Sequence, residues 1–305
     1  MQAQVIRVGG YAPKDSVHSR AVDRFAEEVE KLSNGELSTE ILYNVMDSGK
    51  PATALFDMLD SGELTWCYYS SSYLGAQVPE LDALEVPFLF DTVADALSAL
   101  DGSFGTALGE AVTSKAGYQV LGFWDNGMRH LTNTSRDIRT PQDCEGLSIR
   151  LQPNAIHEAL ARSWAMEPVT AELSAGIAMI KRGEVDAQEN PLANTVAYGV
   201  EHTHITLTAH LYGARGLFAS PQEMAKLGEG ADVVNQAARV AIAYQREQAA
   251  AYENELRERL EAEGRTILDL ESGERQAFAD AAGSVIEDAR SKLDPELQGL
   301  LKESG

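Results

Sequence analysis

The run "QVIRVGG" at residues 4–10 alternates apolar and polar positions and stops at glycine, the pattern of a half-buried strand. Behind it, Val17, Ala21, Val22, Phe25, Val29 and Leu32 recur at helical spacing, which predicts a helix over 16–32. Asp15 or Ser16 stands where an N-cap is needed, and "SNGEL" at 33–37 supplies the glycine that ends the helix. "STEILYNV" then reads as a second strand, 51–61 as a short helix, and "LTWCYYSSS" at 64–72 as a third strand with a polar tip. Strands alternating with helices in this order imply a parallel sheet covered by helices, because parallel neighbours need a crossover connection.

The same logic recurs downstream. Residues 91–116 read as helix with a glycine break near 102–105, and "GYQVLGFW" at 117–124 as a strand. "RHLTNTSRDIRTPQDCEGLSIRL" reads as strand, turn, short helix and strand, with Thr140-Pro141 and Asp143 marking the helix start. A helix over 155–164 places Ala155, Ile156, Ala159, Leu160 and Trp164 on one side. From 222 to about 262 the pattern is helical, and so are the last 40 residues. One internal echo stands out: "FDMLDSGELTWCYYS" at 56–70 and "IAMIKRGEVDAQENP" at 177–191 both run helix, charge, Gly-Glu, strand and polar tip. Two α/β lobes would produce it. Ligands of open α/β sheets sit at the C-terminal ends of strands, where Tyr69–Ser72 and Gln188–Asn190 fall.

Composition narrows the classes. A chain of 305 residues with 44% hydrophobic and 24% charged residues is globular and suits two domains. Its apolar runs, such as "ALEVPFLF" at 83–90, fall short of the roughly 18 residues of a membrane span. The formal net charge of −22 disfavours nucleic acid, whose phosphates would meet a like-signed field. Against that field, each arginine inside an apolar run gains meaning. Cys67 and Cys144 share no metal-ligand spacing and read as two free thiols, with a disulfide between them the alternative. No signal peptide precedes the first strand, so the sequence reads as a cytoplasmic protein or as a mature exported one carrying a start methionine.

The candidate chemistry centres on "GLSIRLQPN", where Arg150 follows Leu147, Ser148 and Ile149 into a core. A guanidinium there needs an anion: either an internal carboxylate or a ligand carboxylate gripped by two parallel hydrogen bonds. Arg129 poses the same alternative. Asn190, before Pro191, reads either as a turn residue or as an amide donor to a ligand oxygen. Trp66 and Tyr68 share one strand face and Cys67 and Tyr69 the other, so at most one pair faces a cleft. His202, His204 and His210 lack acidic or cysteine partners at metal spacing, and no metal or cofactor is expected. No GxSxG, HExxH or GxxxxGK[ST] motif occurs.

Taken together, the segments resemble one family. "GMRHLTNTSRDIRTPQDCEGLSIR" is similar to the "G-x-R-x-x-T-N … T-P-x-D-x-x-G-x-x-I-R" stretch of the solute-binding proteins of TRAP transporters, of the C4-dicarboxylate-binding type. "GEVDAQENP" resembles their "G-x-V-D-G-Q-E-N-P", "VPELDALEVPFLF" their "V-P-E … L-P-F-L-F", and "LTAHLY" their "L-T-x-H" segment. "AEEVEKLSNGEL" fits their first helix and turn. The resemblance implies a two-lobed, periplasmic-binding-protein-like α/β fold, each lobe a mostly parallel sheet flanked by helices, closing a cleft around an organic acid. Residues 1–124 would form mostly the first lobe, 125–215 mostly the second, and 216–305 a helical segment returning to both. Arg150 would clamp the solute carboxylate, Asn190 would hydrogen-bond it, and Arg129 would support the region. Tyr11 and Ser70 fall at first-lobe contact positions, and Tyr69, Tyr73, Trp124, Leu173 and Tyr212 complete the expected lining.

Two departures bear on the ligand. Leu173 stands near where the family often has an aromatic residue, and Ser70 where it often has an acid. Both point away from a sialic-acid-like or dicarboxylate ligand, and Tyr69, Tyr73 and Trp124 better suit an aromatic, sugar-acid or other compact monocarboxylate. The implied partner is a membrane-embedded permease and the implied location the periplasm. The rival reading is a lyase-like enzyme acting on a small acid, with His157 or Glu189 as its base.

Overall fold

The computed structural model describes residues 4–303. In chain order the elements begin β1 (Gln4–Gly9), α1 (Val17–Leu32), β2 (Leu37–Leu42), α2 (Ala54–Asp60), β3 (Trp66–Ser70), α3 (Val93–Asp101), α4 (Ser103–Ala116) and β4 (Gln119–Asn133). They continue β5 (Ser148–Leu151), α5 (Ala155–Ser163), β6 (Glu167–Thr170), α6 (Leu173–Lys181), β7 (Ala187–Asn190), α7 (Leu192–Ala197) and β8 (His204–Ala219). The last are α8 (Pro221–Lys226), α9 (Gly230–Ala262), β9 (Thr266–Asp269), α10 (Ser272–Ala281), α11 (Gly283–Lys292) and α12 (Pro295–Glu303). The chain divides into two compact units.

The first unit comprises the described residues up to Ser71, with Gly105–Asp125 and Ala214–Ala251. β1 pairs in parallel with β2 and β3, and β3 pairs antiparallel with β8, Trp66 opposite Ala219 and Ser70 opposite Arg215. α1 starts where expected: the Ser16 side chain accepts from the Ser19 N–H, satisfying one of the donors a helix start leaves open. Its apolar stripe buries Ala21, Val22, Phe25 and Val29. β3 is buried on both faces over its whole length, so the simple alternation expected for Trp66–Tyr69 does not select one inward pair.

The second unit comprises Ser72–Phe104, Asn126–Gly213 and the chain from Tyr252 onward. β5 pairs in parallel with β6 and β7, β7 antiparallel with β4, and β8 in parallel with β9. One core gathers Leu131, Ile149, Leu151, Leu160, Trp164 and Phe278 around these strands. The helix start at Pro141 carries a capping box, Thr140 and Asp143 exchanging side-chain and backbone hydrogen bonds.

Several elements differ from the sequence reading. The strand pieces expected on either side of Asn126 form one 15-residue strand, β4, bent at Gly122 (φ 144°) and Gly127 (φ 85°). β6 and β8 have no counterpart in that reading, and the last 40 residues begin with β9 rather than helix. β8 is buried along nearly all of 208–219, and a strand buried on both faces shows no period-two signal. Cys67 and Cys144 are both free and buried.

Candidate functional site

Arg150 is the third residue of β5, between Val169 of β6 and Gln188 of β7. It is 3% exposed. Its Nη2 donates to the Ala171 carbonyl at 2.7 Å, and the Tyr73 hydroxyl shares a hydrogen bond with its side chain. Burial raises the Tyr73 pKa, and the neighbouring Arg150 charge offsets part of that rise. Arg150 Nε meets no acceptor among the described residues. Among the described residues no carboxylate oxygen lies within 4.0 Å of its guanidinium. A buried guanidinium without a counter-charge is costly and is retained where an anion arrives from outside.

Arg129, on β4, has the opposite surroundings. Its Nε donates to Glu189 Oε2 and its Nη2 to Glu189 Oε1 at 2.7 Å, a two-pronged grip on an internal carboxylate. Nη2 also reaches the Glu189 carbonyl at 3.1 Å and Asn190 Oδ1 at 3.3 Å. The pair belongs to a longer buried network. His157 Nδ1 and His210 Nε2 lie 3.7 and 3.6 Å from the Glu189 oxygens, and His157 Nε2 lies 2.6 Å from Glu85 Oε2. Ser72 Oγ donates to the other Glu85 oxygen. Burial opposes ionisation of Glu189, yet Arg129, His157 and His210 hold its carboxyl well below the usual range. Burial likewise opposes the imidazolium of His157, but bonds to Glu189 and Glu85 outweigh it and push its pKa up to about 9. Arg129 and His157 thus balance the two glutamates within the protein.

In the first unit the aromatic side chains gather at the end of β3. Tyr11 lies 4.7 Å from Tyr69 and 5.5 Å from Tyr68, ring centre to ring centre. Trp124 packs 4.9 Å from Tyr68 and 5.7 Å from His18. The Arg215 guanidinium lies 4.7 Å over the Tyr11 ring and 5.7 Å from the Tyr68 ring, a cation–π arrangement in a water-poor place. Burial, and then the Arg215 charge, hold His18 neutral with its pKa well below the ordinary value. The Trp124 indole N–H and His18 Nε2 are buried and meet no hydrogen-bonding partner among the described residues.

The sequence-based site residues therefore fall into two sets. Tyr11, Tyr69, Ser70 and Trp124 belong to the first unit; Tyr73, Arg129, Arg150, Leu173, Asn190 and Tyr212 belong to the second. Asn190 ends β7, its Nδ2 donating to Gln188 Oε1 at 3.1 Å while its Oδ1 accepts from Arg129. Leu173 is buried at the start of α6. Tyr212 is buried edge-on against Phe90 at 6.0 Å. Sequence reasoning passed over Arg215, although "YGARGLF" offers the signal that singled out Arg150: an arginine inside an apolar strand. It also passed over Gln152, buried at 4% exposure, whose amide nitrogen meets no acceptor among the described residues.

Fold and site together define a two-unit α/β protein in which, among the described residues, Arg150 is a buried guanidinium with no carboxylate partner. The chain belongs to the bacterial extracellular solute-binding proteins, family 7; the family model matches residues 8–292. It is 32% identical over 209 residues to a solute-binding protein of Verminephrobacter eiseniae, covering 68% of this chain and 62% of that one. A Sinorhizobium fredii protein is 31% identical over 94% of this chain but only 52% of its own length, so the chain spans less than two thirds of these two relatives. The 2,3-diketo-L-gulonate-binding periplasmic protein YiaO of Escherichia coli is 27% identical, covering 99% of this chain and 92% of its own. Among solved structures, the sugar acid binding protein DctPAm of Advenella mimigardefordensis, in complex with galactonate, matches with a TM-score of 0.92 at 26% identity. That match covers 100% of this chain and 98% of the other. A Sulfitobacter TRAP protein with bound β-D-galacturonate matches at 0.87 and 25% identity, over 98% of both chains.

The enzyme alternative loses its footing here. The two residues it needs as a base, His157 and Glu189, are tied to each other, to Arg129 and to Glu85. YiaO and DctPAm are binding proteins.

Proposed function

We propose that this chain is an extracytoplasmic receptor that binds a small organic acid through Arg150 and delivers it to a membrane permease. The observation that carries the reading is a guanidinium 3% exposed, held by a carbonyl and a hydroxyl but by no carboxylate. A solute carboxylate supplies the missing charge and accepts from the free Nε–H. Asn190 and Tyr73 lie in the same unit to serve as its neighbours, and Arg129 supports Asn190 through the bond to its amide oxygen.

We propose further that the solute is a polyhydroxylated monocarboxylate, a sugar acid. With Arg129 held by Glu189, Arg150 is the one buried guanidinium among the described residues of the second unit that has no carboxylate partner. Gln152 Nε2, in the same unit as Arg150, is a buried polar atom that meets no acceptor among the described residues, a costly state unless something meets it. Solute hydroxyls, which both donate and accept, suit such an atom. The ligands named for DctPAm and the Sulfitobacter protein, and for YiaO, are acids of this kind.

The test is a thermal-shift and calorimetric panel of aldonates, uronates, C4-dicarboxylates and aromatic monocarboxylates, since a ligand of the folded state raises its melting temperature. An aldonate or uronate should give the largest shift. A dicarboxylate that outranks them all would overturn the sugar-acid reading. Silence across the panel would overturn the receptor reading itself.

A further inference from the structure

Beside the Arg150 guanidinium stands Gly176, buried in the middle of α6. Its backbone is ordinary helix, donating to the Glu172 carbonyl at 2.7 Å, and φ there is not positive. Conformation therefore gives no reason for glycine, and glycine inside a helix is less stable than alanine. Space does give a reason. A Cβ at this position would lie 2.2 Å from Arg150 Nε and 3.0 Å from its Cδ and Cζ. The guanidinium packs directly on the helix at the place where a side chain is missing.

We infer that Gly176 is a positioning residue for the Arg150 clamp, an inference that rests on the receptor reading above. The bond from Nη2 to the Ala171 carbonyl and the contact with Tyr73 fix one end of the guanidinium. The bare helix surface at Gly176 lets the rest lie flat, with Nε unbonded among the described residues. Any side chain at 176 pushes Nε away by about 1 Å or more, since real Cβ contacts below about 3 Å do not occur. A fork aimed at a carboxylate tolerates such a shift poorly; misplacing a pre-positioned group by about 1 Å costs on the order of a hundredfold.

The experiment compares the unaltered protein with Gly176→Ala, Arg150→Ala and the double variant. The probe is whichever acid of a panel of D-galactonate, D-galacturonate, D-gluconate and succinate binds the unaltered protein best. Gly176→Ala should weaken that acid by roughly 10- to 100-fold. Its ligand-free melting temperature should change little, because the helix gain of alanine is set against the displacement of the guanidinium. In the Arg150→Ala background the same substitution should cost no further affinity and should raise the melting temperature. A readout without ligand is the arginine Nε–Hε spectrum: the Arg150 signal, identified by its loss in Arg150→Ala, should move or broaden in Gly176→Ala. Unchanged affinity in Gly176→Ala, with Arg150→Ala abolishing binding, would overturn this inference alone. So would lost affinity with an unmoved Arg150 signal. If no acid binds, or Arg150→Ala binds normally, the receptor reading fails and this role with it.

Discussion

Arg129 and Arg150 are both 3% exposed, both on strands of the second unit, and both within reach of Tyr73's influence. Their surroundings are opposite. Arg129 is saturated by protein: a carboxylate, a backbone carbonyl and an amide oxygen. Arg150, among the described residues, is held by neutral groups only, the Ala171 carbonyl and the Tyr73 hydroxyl. The first arrangement stabilises a fold, because separating the partners would leave a charge alone in a low-dielectric interior. The second is tolerable in the ligand-free protein and becomes strong when an anion enters. Burial of a cation is therefore no indicator of its use; the identity of its partner is.

That contrast can be broken by experiment, and the largest effect belongs to Arg129. Glu189→Gln leaves Arg129 and His157 without their shared carboxylate. Breaking a buried pair this way should cost roughly 3–5 kcal/mol of ligand-free stability, read by denaturant unfolding. A loss below about 1 kcal/mol would show that Arg129 is not structurally committed. Next comes Arg150→Ala, which should weaken the bound acid by roughly 2–5 kcal/mol, or about 30- to several-thousand-fold. Ligand-free stability should be unchanged or higher. Arg150→Lys should fail comparably, since an ammonium lacks the planar two-pronged donor set. Lost stability with retained affinity would reverse the assignments of the two arginines.

A smaller, pH-dependent effect sharpens the same contrast. His157 has its pKa raised from 6.5 to about 9 by Glu189 and Glu85 against the pull of burial. A group whose pKa is raised on folding contributes stability that is complete below the unfolded value near 6.5 and is lost as pH rises through about 9. Unfolding free energy should therefore fall between pH 6.5 and 9.5 by roughly 2–3 kcal/mol more in the unaltered protein than in His157→Gln. Equal slopes in the two proteins would mean that His157 is neutral in the folded state. The smallest effect lies in the first unit, where Tyr11→Leu removes the ring under Arg215 and should cost about 1 kcal/mol of stability beyond lost packing. A salt titration of melting that is identical in both proteins would argue against the cation–π contact.

Much of the frame was legible because it depends on local rules. The 3.6-residue stripe of α1, its Ser16 cap, the glycine break between α3 and α4 and the Thr140–Asp143 box follow from neighbours in sequence. The echo of α2–β3 in α6–β7 also placed both polar tips at strand ends. β8 was not legible, since a strand buried on both faces carries no alternation, and neither was β9, four residues long and held by its pairing with β8. The association of 72–104 with 126–213 rather than with the preceding residues is likewise a matter of contacts distant along the chain.

For the site, sequence by itself determined which residues carry chemistry. Arg150 and Arg129 were conspicuous in an acidic chain, and "QENP" marked the strand end beside them. What it left open was the partner of each arginine. Glu189 is 60 residues from Arg129, and the groups around Arg150 come from Tyr73, Ala171 and Gly176 on separate segments. Only tertiary structure decided that one guanidinium meets a carboxylate and the other a carbonyl, a hydroxyl and a bare helix face. The physical reason is range: helix stripes, caps and turns are written within a few residues, whereas the pairing of a buried charge depends on which distant strand lies within about 4 Å of it.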